Sequence, residues 1–179
     1  FIKDRSNGYD TVVFDKVRGV SKRLYPNNNQ AESTDSDNLV SFDSDGFTVD
    51  DNGITNHNGY NFVASAWKAG TTSSASESGS NIGYSRSINT TSKFMISAYT
   101  GTGSAGDTLA HGLGSTPKFW ACKNRNAGGW SWYVYHCANT SAPETENLYW
   151  NSSDGTLDDN TRWDDTAPNS TEITLGTNG

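Results

Sequence analysis

Trp130-Ser131-Trp132-Tyr133-Val134-Tyr135 puts Trp, Trp and Val at alternate positions, with Ser, Tyr and Tyr between them. Period two belongs to an extended strand, whose successive side chains point to opposite faces. The same reading extends outward to Phe94-Met95-Ile96-Ser97-Ala98-Tyr99, to Tyr60–Trp67 and to Thr11–Phe14. Asp45-Gly46, Asn52-Gly53 and Asn58-Gly59 supply turn chemistry between the runs. No window of 12 or more residues carries a helical stripe. Short strands separated by turn signals predict an all-β protein, an antiparallel β-sandwich.

An internal repeat organises these strands. Ile2-Lys3-Asp4-Arg5 matches Cys122-Lys123-Asn124-Arg125, and Val13-Phe14 matches Val134-Tyr135. Leu24-Tyr25-Pro26-Asn27 matches Leu148-Tyr149-Trp150-Asn151, and Phe47-Thr48-Val49 matches Ile173-Thr174-Leu175. The order is kept while the offset grows from 120 to 126, as loop insertions would make it. Two related units are therefore expected, both incomplete in this window of a longer chain. Residues 1–69 would end the first unit and 81–179 would begin the second. Gly70–Ser80, with Ala75 as its one apolar residue, reads as a linker or exposed loop.

Composition narrows the function classes. Ser, Thr, Asn and Gly number 80 of the 179 residues, and the net charge is −7. Such a chain could be disordered, but 21 aromatic residues spread along it can build a core. The densest basic cluster is Lys16, Arg18, Lys22 and Arg23, which reads as a solvated face. Nucleic acid is thus an unexpected partner, and no apolar run is long enough for a membrane span.

Candidate chemistry is sparse. His57, His111 and His136 lie at no zinc-ligand spacing, and His111 opens a glycine-rich His111-Gly112-Leu113-Gly114 turn. Asp43-Ser44-Asp45-Gly46 resembles the start of a calcium loop, but it runs straight into Phe47, so a hairpin turn is the better reading. No G-x-S-x-G elbow or P-loop occurs. Neither a cofactor, a metal nor a catalytic residue is expected. Aromatics shared by both copies, Tyr9 with Trp130 and Phe14 with Tyr135, read as core. Trp132 and Trp150 align with Thr11 and Pro26, and Trp163 has no clear counterpart. These three tryptophans are the binding candidates, for stacking on a sugar ring or packing against another subunit.

Several motifs, taken in order, resemble a family of bacteriophage virion proteins. They are Ile2-Lys3-Asp4-Arg5, Phe14–Gly19, Phe42–Phe47, Trp67–Gly70, Tyr99–Gly103, His111–Gly114 with Pro117, Thr166-Ala167-Pro168 and Thr174-Leu175-Gly176. The family is tail-fibre-like, with tandem lectin-like β-sandwich repeats of the LamG or concanavalin type. The resemblance implies a non-enzymatic module of a virion appendage, structural and attaching to host-surface glycans. Its partners would be other virion subunits, as a homo-oligomer, with a host glycan beside them. The alternatives are a capsid or fibre building block without a receptor role, or a polysaccharide depolymerase. Cys122 and Cys137 flank a hairpin turn near Gly129, so a cross-strand disulfide is conceivable. Assembly in a reducing cytoplasm favours two buried free thiols instead.

Overall fold

The computed structural model describes residues 1–178. It is all-β, with antiparallel strand pairing in every sheet; among the described residues its two α-helices are four residues long, and one 3-10 turn spans Pro143–Thr145. The chain divides into two compact units. Unit 1 comprises Phe1–Trp67 and Asn124–Ser131, and unit 2 comprises Lys68–Lys123 and Trp132–Gly179.

Unit 1 contains β1 (Ile2–Asp4), β2 (Val13–Asp15), β3 (Gly19–Leu24), β4 (Ser33–Thr34), β5 (Leu39–Phe42), β6 (Phe47–Val49), helix α1 (Gly53–Asn56) and β7 (Phe62–Ala64). β7 pairs with β1, and a bridge from Ile2 to Val12 links β1 to the chain entering β2. β3 lies between β2 and β4, while β5 and β6 form a separate hairpin. The Asp43–Gly46 segment is that hairpin's turn, closed by a bond from Asp43 N to Gly46 O (2.9 Å). Ile2, Val12, Phe14, Tyr25 and Leu39 form the core, with Phe62 packed against it.

Arg18 and Arg23, expected on a solvated face, are built into the fold of unit 1. Arg18 Nε bonds Asp15 Oδ2 (2.5 Å), and its Nη1 reaches Glu32 Oε2 (3.2 Å). Arg125 closes on the same glutamate through two bonds, 2.9 and 3.0 Å long. Two carboxylates and two guanidiniums thus alternate in one network. Burial pushes the Glu32 carboxyl up, and Arg125 and Arg18 outweigh it, so its pKa lies below the ordinary value.

Unit 2 contains β8 (Thr71–Ala75), β9 (Tyr84–Asn89), β10 (Phe94–Tyr99), β11 (Asp107–Ala110), β12 (Phe119–Lys123), β13 (Trp132–His136), β14 (Glu146–Tyr149), β15 (Leu157–Asp158), helix α2 (Asn160–Trp163) and β16 (Glu172–Leu175). The sheets run β10-β9-β8, β11-β16 and β12-β13-β14-β15. Ile82, Leu109, Tyr135, Trp163, Ile173 and Leu175 make the core.

Two boundaries differ from the sequence reading. Residues 71–80 are exposed as expected, but residues 71–75 form the edge strand β8, paired from Thr71↔Ile88 to Ala75↔Tyr84. A backbone ladder needs no apolar side chain, and Thr suits extended backbone. The second difference is Asn124–Ser131, which joins β12 to β13 yet belongs to unit 1. There Glu32 N bonds Arg125 O and Gly129 N bonds Asn29 O, each at 2.9 Å.

The repeated motifs occupy equivalent places. Ile2 faces Val12 across an antiparallel bridge, and Cys122 faces Tyr133. Val13 pairs with Leu24, and Val134 with Leu148. The correspondence continues past the motifs that revealed it. Asp35 N bonds Ser21 O and Asp159 N bonds Thr145 O, at 2.9 and 3.0 Å. Asp50 N to Asn38 O and Gly176 N to Arg162 O are likewise matched, at 3.0 and 2.9 Å.

Candidate functional site

Strand alternation gives the sheet β12-β13-β14 two faces. Trp120, Cys122, Tyr133 and Tyr135 pack on the core. Phe119, Trp132, Val134 and His136 lie on the opposite face, since Phe119 pairs with His136 and neighbours along a strand alternate. Trp150 follows β14 and is fixed opposite Trp132 by the bond from its N to Trp132 O (3.1 Å). Asn151 Oδ1 accepts from Trp132 N (2.6 Å) and holds the same corner.

Three aromatic rings and a histidine meet on this face. Trp150 is edge-to-face with Trp132 and with Phe119, each at 5.9 Å, and Phe119 is edge-to-face with His136 at 6.5 Å. Trp132 and Phe119 belong to opposite ends of the strand pair, so the Trp150 indole lies along the sheet between them. Phe119 is 50% exposed and Trp150 42%, whereas Trp132 is buried. His136 Nδ1 accepts from Ala138 N (3.2 Å), leaving Nε2 to carry the neutral ring's proton. Polar groups follow β13: Asn139 donates to Glu146 Oε2 (3.3 Å) and accepts from Thr156 Oγ1 (3.1 Å). The arrangement offers apolar ring surface beside hydrogen-bonding groups, which is the chemistry of binding.

Of the three candidate tryptophans, the structure joins Trp132 to Trp150 and separates Trp163. Trp163 is 0% exposed at the end of α2, its Nε1 donating to Glu146 O (3.0 Å). It stands edge-to-face to Trp120 at 5.2 Å, so it is a core residue and no binding candidate. Tyr9 and Trp130, read as core, are instead exposed. They sit in the irregular backbone before β2 and β13, where alternation no longer dictates a face. Phe119 was missed, although its place opposite His136 follows once the hairpin register is known.

The cysteines do not face each other. Cys122 pairs with Tyr133, while Cys137 N bonds Lys118 O (2.9 Å), four residues away along the strand. Both are free thiols. Burial pushes the Cys122 thiol up, and its Sγ lies 3.2 Å from the Tyr99 hydroxyl, which burial also raises.

His111 serves backbone geometry. It is 1% exposed, its Nδ1 accepts from Leu113 N (3.1 Å), and Nε2 faces Asn169 O (3.2 Å). One nitrogen accepts and the other donates, which defines a neutral ring. Desolvation lowers its pKa, against the Asn169 carbonyl and with help from Arg86. Gly112 follows at φ +69°, where a β-carbon would lie 2.9 Å from the Arg86 guanidinium. Among the described residues no group of three His, Cys, Asp or Glu side chains could hold a metal ion.

Sequence comparison covers the whole of this arrangement. The chain belongs to the family described as "Domain of unknown function (DUF7483)". The DUF7483 match runs over residues 1–179, so both units and the aromatic face lie within one family domain. No curated protein and no solved structure matches the chain.

Proposed function

We propose that this chain is a non-enzymatic binding module of a bacteriophage virion appendage of the tail-fibre kind, attaching to host-surface glycans. Its ligand would lie on the aromatic face of β12, β13 and β14. The observation that carries this reading is the exposed pair Phe119 and Trp150, held edge-to-face with Trp132 beneath and a polar rim beside it. Sugar rings present C–H faces that pack on such aromatics, while their hydroxyls take the rim's donors and acceptors. Loops rich in Asn, Ser, Thr and Gly add adaptable hydrogen bonds around a rigid scaffold.

The test is a glycan array probed with the intact chain, followed by saccharide titration read through Trp fluorescence. Trp150→Ala and Phe119→Ala should each weaken binding about tenfold or more, as loss of a hot-spot contact does. Silence of the intact chain on arrays and on whole host cells would remove the reading. A building-block role is favoured by a different observation: Val63 and Trp67 of unit 1 are 50% and 54% exposed. It predicts a mass that rises with concentration in sedimentation and falls when Trp67 is changed to Ser.

A further inference from the structure

We propose that the ligand of the aromatic face is an amino sugar with a free, positively charged amine, and that Glu146 and Asp158 select it; this rests on the reading of that face as a glycan site. Register places both carboxylates on the face. Tyr133 pairs with Tyr149 and Val134 with Leu148, and Val134 shares the outer side with Phe119, Trp132 and His136. Alternation along β14 turns Asn147 inward, where it is 0% exposed, and Glu146 outward with Leu148. Asp158 is the cross-strand partner of Glu146, so it faces the same way. Continuing the register sets His136 beside Glu146, with Phe119 on its other flank. One row across four strands thus reads Phe119, His136, Glu146, Asp158. At the spacing of paired strands, the Glu146 backbone lies about 10 Å from that of Phe119, within the reach of one oligosaccharide.

Like charges directly opposite on paired strands cost stability, and among the described residues neither carboxylate is ion-paired. Glu146 Oε2 accepts from the neutral amide of Asn139 (3.3 Å). Unit 1 shows that the fold does not require this acidic pair. Its two equivalent positions are Lys22 and Thr34, cross-strand partners joined by a bond from Lys22 Nζ to Thr34 Oγ1 (2.6 Å). Unit 1 also has Thr11 and Pro26 where unit 2 has Trp132 and Trp150. Aromatics and carboxylates therefore occur together on one copy of the face, and the other copy has neither. The ligand that suits both has a carbon surface and a positive charge. Ring C–H groups pack on Phe119 and Trp150, while the ammonium donates charge-assisted hydrogen bonds to Glu146 and Asp158. Acidic sugars meet the same carboxylates as repulsion, which sharpens the choice. Lys123 lies at the far end of the face, opposite Trp132, so the end holding Glu146 and Asp158 carries the negative charge.

The test titrates the whole chain with two oligosaccharides of glucosamine, read through Trp fluorescence. One is N-trimethylated, so its charge is permanent, and the other is N-acetylated and neutral. The cationic oligomer should bind about tenfold tighter or more, as hydrogen bonds and contacts to charged groups allow, and about 1 M salt should erase most of that preference. Glu146→Lys with Asp158→Thr installs the pair that unit 1 already carries. It should abolish the preference while the unfolding midpoint holds or rises. Equal binding of the two oligomers, weakened alike by Trp150→Ala, would overturn this inference and leave the glycan reading standing. A preference that survives in the double variant would overturn it too, since the net charge of the chain would then be its source. Absence of any binding of the cationic oligomer would likewise overturn it, and the glycan reading would then stand or fall on the array.

Discussion

Asp35 in unit 1 and Asp159 in unit 2 occupy the same place in the repeat, and each holds an arginine that comes from a different position. In unit 1 the arginine is Arg23 on β3, 2.8 Å from Asp35, and the position three residues past the aspartate is Asn38. In unit 2 the strand position is Asn147 on β14, and the position past the aspartate is Arg162, 3.1 Å from Asp159. Arginine and asparagine have exchanged places around an unchanged carboxylate. Asn38 and Asn147 are both 0% exposed. Each arginine also lies over a tyrosine ring, Arg23 over Tyr25 at 5.6 Å and Arg162 over Tyr133 at 3.7 Å. Asp37 N and Thr161 N cap the two carboxylates alike, at 3.0 Å each. A half-buried carboxylate needs one cation, and the fold leaves two places from which it can come.

The two units differ most at their buried centres. Leu39 stands where unit 2 has Trp163, at 2% and 0% exposure. Trp163→Ala should cost about 3–5 kcal/mol, by loss of transfer energy and a large cavity. Leu39→Ala should cost about 2–5 kcal/mol, on the smaller volume removed. Denaturant unfolding followed separately in each unit measures both. A Trp163→Ala loss below that of Leu39→Ala would break the parallel.

The exchanged arginines offer a sharper trial. Arg23→Asn alone should destabilise unit 1 by about 2–3 kcal/mol, the worth of a charged hydrogen bond. Adding Asn38→Arg rebuilds the arrangement of unit 2 and should recover most of that loss. If the double variant is no more stable than the single one, the two sites are not interchangeable.

Acid should separate the units as well. His111 has its pKa lowered from 6.5 by burial, so the unfolded chain takes up the proton first. The stability it lends unit 2 is whole above pH 6.5 and is lost as pH falls below that. Glu32 and Asp35 in unit 1 have lowered pKa values, from 4.5 and 3.8, so their contribution persists until pH falls through that lower range. For Asp35 the chief cause is the bond from the Asp37 backbone, with Asn38 and Arg23 adding to it. Amides of unit 2 should therefore lose exchange protection at higher pH than those of unit 1, and His111→Gln should remove the difference. Smallest in effect is Trp150→Ala, whose partly exposed ring should change stability by less than about 1 kcal/mol. A larger change would make the aromatic face part of the folding core.

Period two in Trp130–Tyr135, the short apolar stretch Phe94–Tyr99 and the glycine turns between such runs determined the fold class, because a strand's alternation and its bounds are written in the order of its residues. The repeat was legible for the same reason: Val13 and Val134, or Leu24 and Leu148, must fill like positions. Only tertiary structure decided that Asn124–Ser131 belongs to unit 1, that Tyr9 and Trp130 are exposed, and that Trp150 reaches Phe119 across the sheet. Burial and ion pairing depend on what neighbouring strands bring opposite a residue. That is set by register and packing, which a residue's own sequence neighbours do not specify.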